Sequence, residues 1–336
     1  MPPDAAAAET EAALIHCLGE HGGAASVAVL RAAGVAAAGE GGGDLAAVDR
    51  ALSALGDADL LQLDGTGHAR VGARGSVLSA ARVRSGSAAG RYGHQVEVLA
   101  SVGSTNDAVL ERAASGAEPG YVICAELQTE GRGRRGRRFD SRPGLGIWST
   151  VLLDAPADPE RAARLSLVTG LAVADAVAER TGAAAQLKWP NDVLIDGRKV
   201  CGILVEARTA GGRMFPVAGI GTNVHHRMED FPPDLRARAG SLESTTGVRV
   251  DRSEYLATLL VALERRLAAE AAGTLDLAAE FGSRDALAGR RVEVSTADGP
   301  CTGTADGVAP DGTLRVRVGG SRVVFARSGE ATLVVR

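Results

Sequence analysis

Over the first 80 residues, apolar positions return every three or four places in three short runs: EAALIHCLGEHG (11–22), SVAVLRAAG (26–34) and DLAAVDRALSAL (44–55). That spacing gathers apolar side chains on one face of a helix. LLQLDGTGHARVG (60–72) then alternates around a glycine-rich turn and predicts two short strands. Three helices and a hairpin, in that order, make a winged helix-turn-helix, so residues 1–80 read as a winged-helix-like N-terminal domain. ARVRSGSAAGR (81–91) has the composition of a linker.

From residue 92 strands and helices alternate. YGHQVEVLA (92–100) predicts a strand, and SVGSTNDAVLERAASG a helix capped by Ser104 or Thr105 and ending near Gly116. YVICAEL (121–127) and IWSTVLL (147–153) are apolar strands. Asp158-Pro159 opens a long helix to about Arg180, since aspartate caps well and proline suits the first helical position. QLKWPNDVLIDGRKVCGILVEAR (186–208) predicts strands joined by a tight Asp196-Gly197 turn, and RMFPVAGIGTNV (213–224) a strand running into a glycine turn. From Leu287 to the end, short alternating strands separated by Gly and Asp turns predict a small β-barrel.

Composition narrows the class. A 336-residue chain that is 45% hydrophobic, with a formal charge of −4, suits a multi-domain protein with a sizeable core. No apolar stretch is long enough to span a membrane, so no membrane partner is expected. MPPDAAAAETEAAL lacks the basic start and apolar core of a signal peptide. Cys17, Cys124, Cys201 and Cys301 make no C-x-x-C pair, which argues against a zinc ribbon or redox motif and for a reducing, cytoplasmic setting.

Against that near-neutral background, TEGRGRRGRRFD (129–140) packs five arginines into residues 132–138. GRGRRG satisfies G-x-G-x-x-G, yet a dinucleotide fold needs a helix to follow at once, and RRFDSRPGLG cannot form one. No P-loop, kinase motif, nucleophile elbow or H-E-x-x-H site is present. A solvated charge run, a nucleic-acid patch and a phosphate-gripping loop remain. Glycines alternating with the arginines, directly after an apolar strand, favour a flexible loop that grips a polyphosphate.

Five pieces occur in one order: STN (104–106), AELQTEGRGRRGR (125–137), KWPND (188–192), RKVCGILVE (198–206) and GIGTNV (219–224). Together they resemble the biotin protein ligases over roughly residues 95–335. The sister lipoate ligases share the fold but have a different basic motif and lack K-W-P-N-D as a signature. The resemblance implies an α+β fold: a mixed-sheet biotin/lipoate-ligase-type catalytic domain (92–282) between the winged-helix-like region and a C-terminal SH3-like barrel (287–336). It implies an enzyme that joins biotin to ATP as biotinyl-5′-AMP and passes biotin to one lysine of a biotin carboxyl carrier domain, such as that of acetyl-CoA carboxylase.

By the same resemblance, Ser104, Thr105, Asn106, Gln128, Arg132, Gly133, Arg134 and Lys199 bind biotin. Arg132, Arg134, Arg135, Arg137, Phe139, Asn191 and Asn223 hold ATP, and Arg134, Lys199, Lys188 and Asp192 serve the chemistry. A magnesium ion is implied, with no protein ligands identified. Many relatives place tryptophan after the basic run to cover the adenine; here Phe139 stands there, with less area to stack. Activating a carboxylate beside phosphate needs fixed positive charge, and the reactive anhydride must be kept from water. A loop that lacks order when empty and closes over the adenylate would do both.

Some biotin ligases also repress the biotin operon through a winged helix, so the alternative is a bifunctional ligase and DNA-binding repressor. Residues 1–75 hold four arginines, no lysine and ten acidic residues, a formal −6. DNA affinity comes largely from Lys and Arg neutralising phosphates, and DLAAVDRALSAL offers one arginine, two aspartates and no Asn or Gln to read bases. AAGVAAAGEGGGD before it is long for a helix-turn-helix turn. Specific DNA binding is therefore not expected, and a packing or homodimerisation role, or no role, fits this region better.

Overall fold

The computed structural model of the chain describes residues 5–37, 45–88, 90–155, 161–210, 212–296, 299–319, 322–327, 329 and 331–334. The Asp158-Pro159 helix start and residues 38–44 of the glycine-rich approach lie outside the described residues. The N-terminal region holds α1 (Ala5–Glu20), β1 (Ala24–Ser26), α2 (Val27–Ala37), α3 (Leu45–Asp57), β2 (Leu61–Leu63) and β3 (His68–Val71), with strand order β1-β3-β2. Leu14, Leu18, Leu30, Val48, Leu52 and Leu55 are buried in one cluster, which is why the 3.6-residue pattern was so clear there. Strand β1, too short to show a period, was not foreseen.

The expected linker at 81–91 begins as a helix, α4 (Ala80–Gly86), capped by Ser79. Val83 is fully buried, and Gly86 packs so closely on Ala257 of a later helix that an added Cβ would stand 2.7 Å from it. One buried anchor per turn is enough to order a segment whose composition reads as loop.

A seven-stranded mixed sheet forms the centre. Its strands are β4 (Val96–Val102), β5 (Val122–Gln128), β6 (Gly146–Leu152), β7 (Gln186–Lys188), β8 (Asp192–Ile195), β9 (Arg198–Ala210) and β10 (Arg213–Asn223), in the order β4-β5-β6-β10-β9-β8-β7. Only β4 and β5 run parallel, joined by the crossover helix α5 (Thr105–Ala114). Asp196 and Gly197, at φ 50° and 74°, make the tight turn between β8 and β9. One face carries α6 (Ala162–Thr181), with α8 (Arg252–Ala271) packed on it; α5 lies on the other face. Between these come α7 (Leu242–Thr246) and, after α8, α9 (Leu277–Gly282). α6 is buried almost all round from Leu165 to Val177, as befits a helix between a sheet and a second helix.

The C-terminal region is antiparallel: β11 (Arg291–Thr296), β12 (Gly299–Val308), β13 (Leu314–Val318), β14 (Arg322–Ala326) and β15 (Ala331–Leu333), ordered β14-β13-β12-β11-β15, with β14 curling back towards β11. Its core joins that of the sheet, and Trp189, buried, donates its indole N–H to Gly312 O at 3.1 Å. The α+β architecture is therefore the expected one. Among the described residues no helix is long and apolar enough to cross a membrane.

A wholly buried ion pair ties α8 to the sheet, and its arginine also holds the backbone at the end of the N-terminal region. Arg252 opens α8 and reaches Glu126 of β5 at 2.8 Å, while also donating to Ser76 O and Gly146 O. Gly144 N donates to the same carboxylate, so its charge is spread over several donors, which makes its burial tolerable.

Candidate active site

Five strands contribute one row on the α5 side of the sheet. The register pairs Lys188 with Asp192, Asp192 with Gly202, Gly202 with Gly221, and Gly221 with Trp148. Directly paired antiparallel residues point to the same face. The adjoining row runs Leu204, Gly219, Thr150. Three of these positions are glycine, so the middle of the face is bare.

This corrects the expected glycine turn. Gly219 and Gly221 lie within β10, not in a turn, because other side chains occupy the space a Cβ would fill. At Gly219 a Cβ would stand 2.4 Å from Asn106 Oδ1, and at Gly221 2.7 Å from Phe139 Cζ. At Gly202 it would stand 2.9 Å from Lys199 Nζ and 3.1 Å from Phe139 Cε2. The glycines are a floor on which Asn106, Phe139 and Lys199 rest.

The polar end of this floor is a hydrogen-bonded network at the start of α5. Ser104 takes the N-cap position, but its hydroxyl makes no cap bond; Arg132 approaches it at 3.5 Å instead. Gln128 Oε1 accepts from Thr105 N at 2.9 Å, with Thr105 Oγ1 3.0 Å away. Thr150 Oγ1 lies 2.8 Å from Thr105 Oγ1 and 2.7 Å from Asn106 Oδ1, and Asn106 Nδ2 donates to Glu206 at 2.8 Å. Ser104, Thr105 and Asn106 are buried, which gives a stiff polar pocket.

The charged end gathers Lys199, Asp192 and Lys188. Lys199 Nζ is 2.6 Å from Asp192 Oδ1, and Lys188 stands opposite Asp192 in the β7–β8 ladder. The Lys199 backbone is held by the 238–240 loop: its N–H donates to Arg238 O, and its carbonyl accepts from Gly240 N. Asn223 Nδ2 donates to Gly240 O at 2.9 Å, so Asn223 fixes this loop. Asn191 Nδ2 donates to Ile203 O and its carbonyl accepts from Ile203 N, pinning the KWPND segment to the edge of β9. Both asparagines thus shape the wall around the site. Cys201, beside Lys199 in sequence, faces the core, where burial pushes its thiol up to about 12.

The arginine segment takes the form of a small hairpin. Arg132 bridges Arg138, Gly133 N donates to Arg137 O, and Phe139 N donates to Gly131 O. Arg135, at φ 58°, turns the tip. Phe139 lies edge-on to Trp148, with ring centroids 5.6 Å apart. Arg132 pairs with Asp107 on α5 at 2.6 Å. Arg134 lines a cavity of about 640 Å³ at the β9 edge, shared with Arg161, Arg164, Pro190, Leu204 and Arg327. Leu204, in the row beside the glycine floor, is among the residues that line this cavity. Gly133 is half-buried within the hairpin, while Arg135 and Arg137 are exposed.

Sequence reasoning brought together Ser104, Thr105, Asn106 and Gln128, and Lys188, Asp192 and Lys199. It missed Thr150, Glu206, Asp107 and Arg208. Thr150 and Glu206 carried a usable signal, as polar residues inside the otherwise apolar strands IWSTVLL and CGILVE. The donor set does not fit a dedicated metal cage: Asp192 is balanced by Lys199, Asp107 by arginines and Glu206 by an amide. Among the described residues no cluster of three His, Cys, Asp or Glu could hold an ion.

Both the sequence and the fold resemble those of known proteins. The sequence profile of the biotin/lipoate A/B protein ligase family matches residues 98–223. The biotin–[acetyl-CoA-carboxylase] ligase of Mycobacterium tuberculosis is 39% identical over 71% of this chain and 89% of that protein. The bifunctional ligase/repressor BirA of Bacillus spizizenii is 34% identical over 52% of this chain, which spans 57% of that relative's length. A solved biotin protein ligase from Aquifex aeolicus, in complex with biotin and ATP, superimposes with a TM-score of 0.63 at 30% identity, over 71% of this chain and 98% of that one.

Proposed function

This chain belongs to the biotin protein ligase family, and from that premise we propose that it activates biotin with ATP and transfers it to a lysine of a biotin carboxyl carrier domain. The observation that carries the reading is the glycine floor, with a buried polar network at one end and Lys199 at the other. Biotin is a compact cyclic urea on an apolar tail that ends in a carboxylate, and this site has the same sequence of environments. The ureido ring faces Thr105, Asn106 and Gln128. The tail crosses Gly219 and Gly221, with Phe139 turning aside or covering it. The carboxylate arrives at Lys199.

The first step forms a bond between a biotin carboxylate oxygen and the α-phosphorus of ATP, and breaks the α–β phosphoanhydride to release pyrophosphate. Both reactants are anions, so the ammonium of Lys199 and the guanidinium of Arg134 lower the barrier by offsetting charge that grows in the transition state; one such donor contributes about 10²–10³ in rate. Arg132, Arg135 and Arg137 add to the same field when the hairpin covers the phosphates. Phe139 offers its ring to the adenine. A magnesium ion accompanying ATP would offset phosphate charge, and none of the residues named above forms a dedicated cage for it. In the second step the acceptor lysine's amine attacks the acyl carbonyl, the C–O bond to AMP breaks, and AMP leaves. Asp192, beside Lys188, is placed to take the amine's proton. Hairpin cover between the steps keeps water from the anhydride.

The relatives that act as repressors do not extend this reading to DNA. The exposed positions of α3 include Leu45, Asp49, Arg50, Ser53 and Ala54, with Arg50 the single basic residue, and Asp49 pairs with Arg31 at 2.8 Å. Such a surface lacks the basic, base-reading character DNA demands. The functional reading is tested by exchange of labelled pyrophosphate into ATP: it proceeds only with biotin present, and exchange driven by lipoate instead would overturn it.

A further inference from the structure

Two arginines converge on one carboxylate oxygen outside the motifs. Arg132, at the root of the basic hairpin, places Nη2 2.6 Å from Asp107 Oδ1, and Arg208 of β9 contacts that same oxygen. Asp107 sits in the first turn of α5, one residue after Asn106. Partial burial works to raise its carboxyl, but the hydrogen bonds from Arg132 and Arg208 outweigh it and hold the group below the ordinary carboxylate range. All three side chains are between 37% and 40% exposed, so each contact is screened and opens readily.

We propose that Asp107 is the latch that holds the basic hairpin against the α5 end of the site, and that Arg208 is the rival cation that keeps this latch weak. Arg132 is a charged link from the hairpin to α5, and Asp107 positions it. Arg208 acts in two ways. Its charge repels Arg132 across the shared oxygen, and it leaves Asp107 paired when Arg132 lifts away, so opening strands no lone carboxylate. The hairpin can then close over an adenylate yet release on the timescale of turnover. This rests on the proposed function, because biotinyl-AMP is what the latch retains.

The two partners are predicted to act in opposite directions, which a merely structural role would not give. Adenylate that escapes is hydrolysed, with water breaking its acyl–phosphate bond to give biotin and AMP. AMP production by the full chain with biotin and magnesium ATP, without carrier, therefore measures leakage. Asp107→Asn is expected to raise it about twofold to fivefold, the scale of one exposed ion pair, and Arg208→Gln to lower it about twofold. Asp107→Glu, which keeps the charge, should stay near the parent. Leakage that moves the same way in Asp107→Asn and Arg208→Gln, or does not move, overturns the latch while leaving the functional reading intact. A parent enzyme that supports no biotin-dependent exchange of pyrophosphate into ATP overturns the functional reading and the latch with it.

Discussion

An alanine at Gly219 puts a methyl group where Asn106 now lies. Its Cβ would stand 2.4 Å from Asn106 Oδ1, whereas real Cβ contacts essentially never fall under 3.0 Å. Asn106 is not free to retreat: it is buried, Thr150 holds its Oδ1 at 2.7 Å, and Glu206 holds its Nδ2 at 2.8 Å. A buried neutral hydrogen bond contributes about 0.5–1.5 kcal/mol and one to a carboxylate about 1.5–3, so disturbing both puts about 2–4 kcal/mol at stake. If the side chain yields, that sum appears as lost ligand affinity, and biotin Kd rises about 30-fold or more while the fold persists. If the backbone yields instead, the melting temperature falls. Gly221→Ala is the internal comparison. Its Cβ meets Phe139 Cζ at 2.7 Å, the far end of a hairpin side chain that can swing, so its cost should fall on ATP more than on biotin. Calorimetric titration with biotin alone, beside a thermal melt, reads both outcomes. Parent-like biotin affinity and melting temperature in Gly219→Ala would refute the idea that bare glycines seat the ureido-binding asparagine.

Further outcomes follow from the same structure. Lys199→Ala should weaken biotin binding and adenylate formation while leaving the melt unchanged; unaltered biotin affinity would remove Lys199 from the site. Arg252→Ala strands Glu126 in the core and should cost about 3–5 kcal/mol by urea denaturation, the usual penalty for breaking a buried pair. Burial pushes His226 down to about 3 from an ordinary 6.5, so the unfolded chain binds a proton between those values that the folded chain refuses. Stability should then fall as pH drops through that window, by at most about 1.4 kcal/mol per pH unit from this group, and His226→Phe should flatten the slope of urea midpoint against pH. In a low-salt gel shift the chain should not distinguish its own biotin-gene promoter from a scrambled fragment; nanomolar, sequence-dependent binding would make the N-terminal region a working repressor domain.

What the sequence disclosed, and what it hid, has a physical pattern. Contiguous motifs with concentrated chemistry, such as S-T-N, the arginine run and K-W-P-N-D, could be read directly, and the structure brings Asn106, Lys188 and Asp192 from two of them to one face of the sheet. Gly219 and Gly221 misled because a glycine pair suggests a turn, whereas here the reason for glycine is the approach of Asn106 and Phe139 from elsewhere in the chain. Thr150, Glu206 and Arg208 sit on strands, where register across the sheet sets a residue's partner: a polar residue in an apolar strand flags Thr150 and Glu206, but the sequence does not say what each one meets. Val83 shows the same in the supposed linker: one buried side chain fixed a helix that composition concealed. Arg252 reads as an ordinary first-turn residue after an aspartate cap, and only the fold reveals Glu126 opposite it.

The most direct test of the account is transfer itself. The full chain, incubated with biotin, magnesium ATP and an isolated biotin carboxyl carrier domain, should add one biotinyl group to a single carrier lysine, seen by intact mass and avidin blot. Labelling should vanish when ATP is omitted and fall sharply in Lys199→Ala. No labelling of the carrier, or modification only when lipoate replaces biotin, would contradict the assignment of this site to biotin transfer.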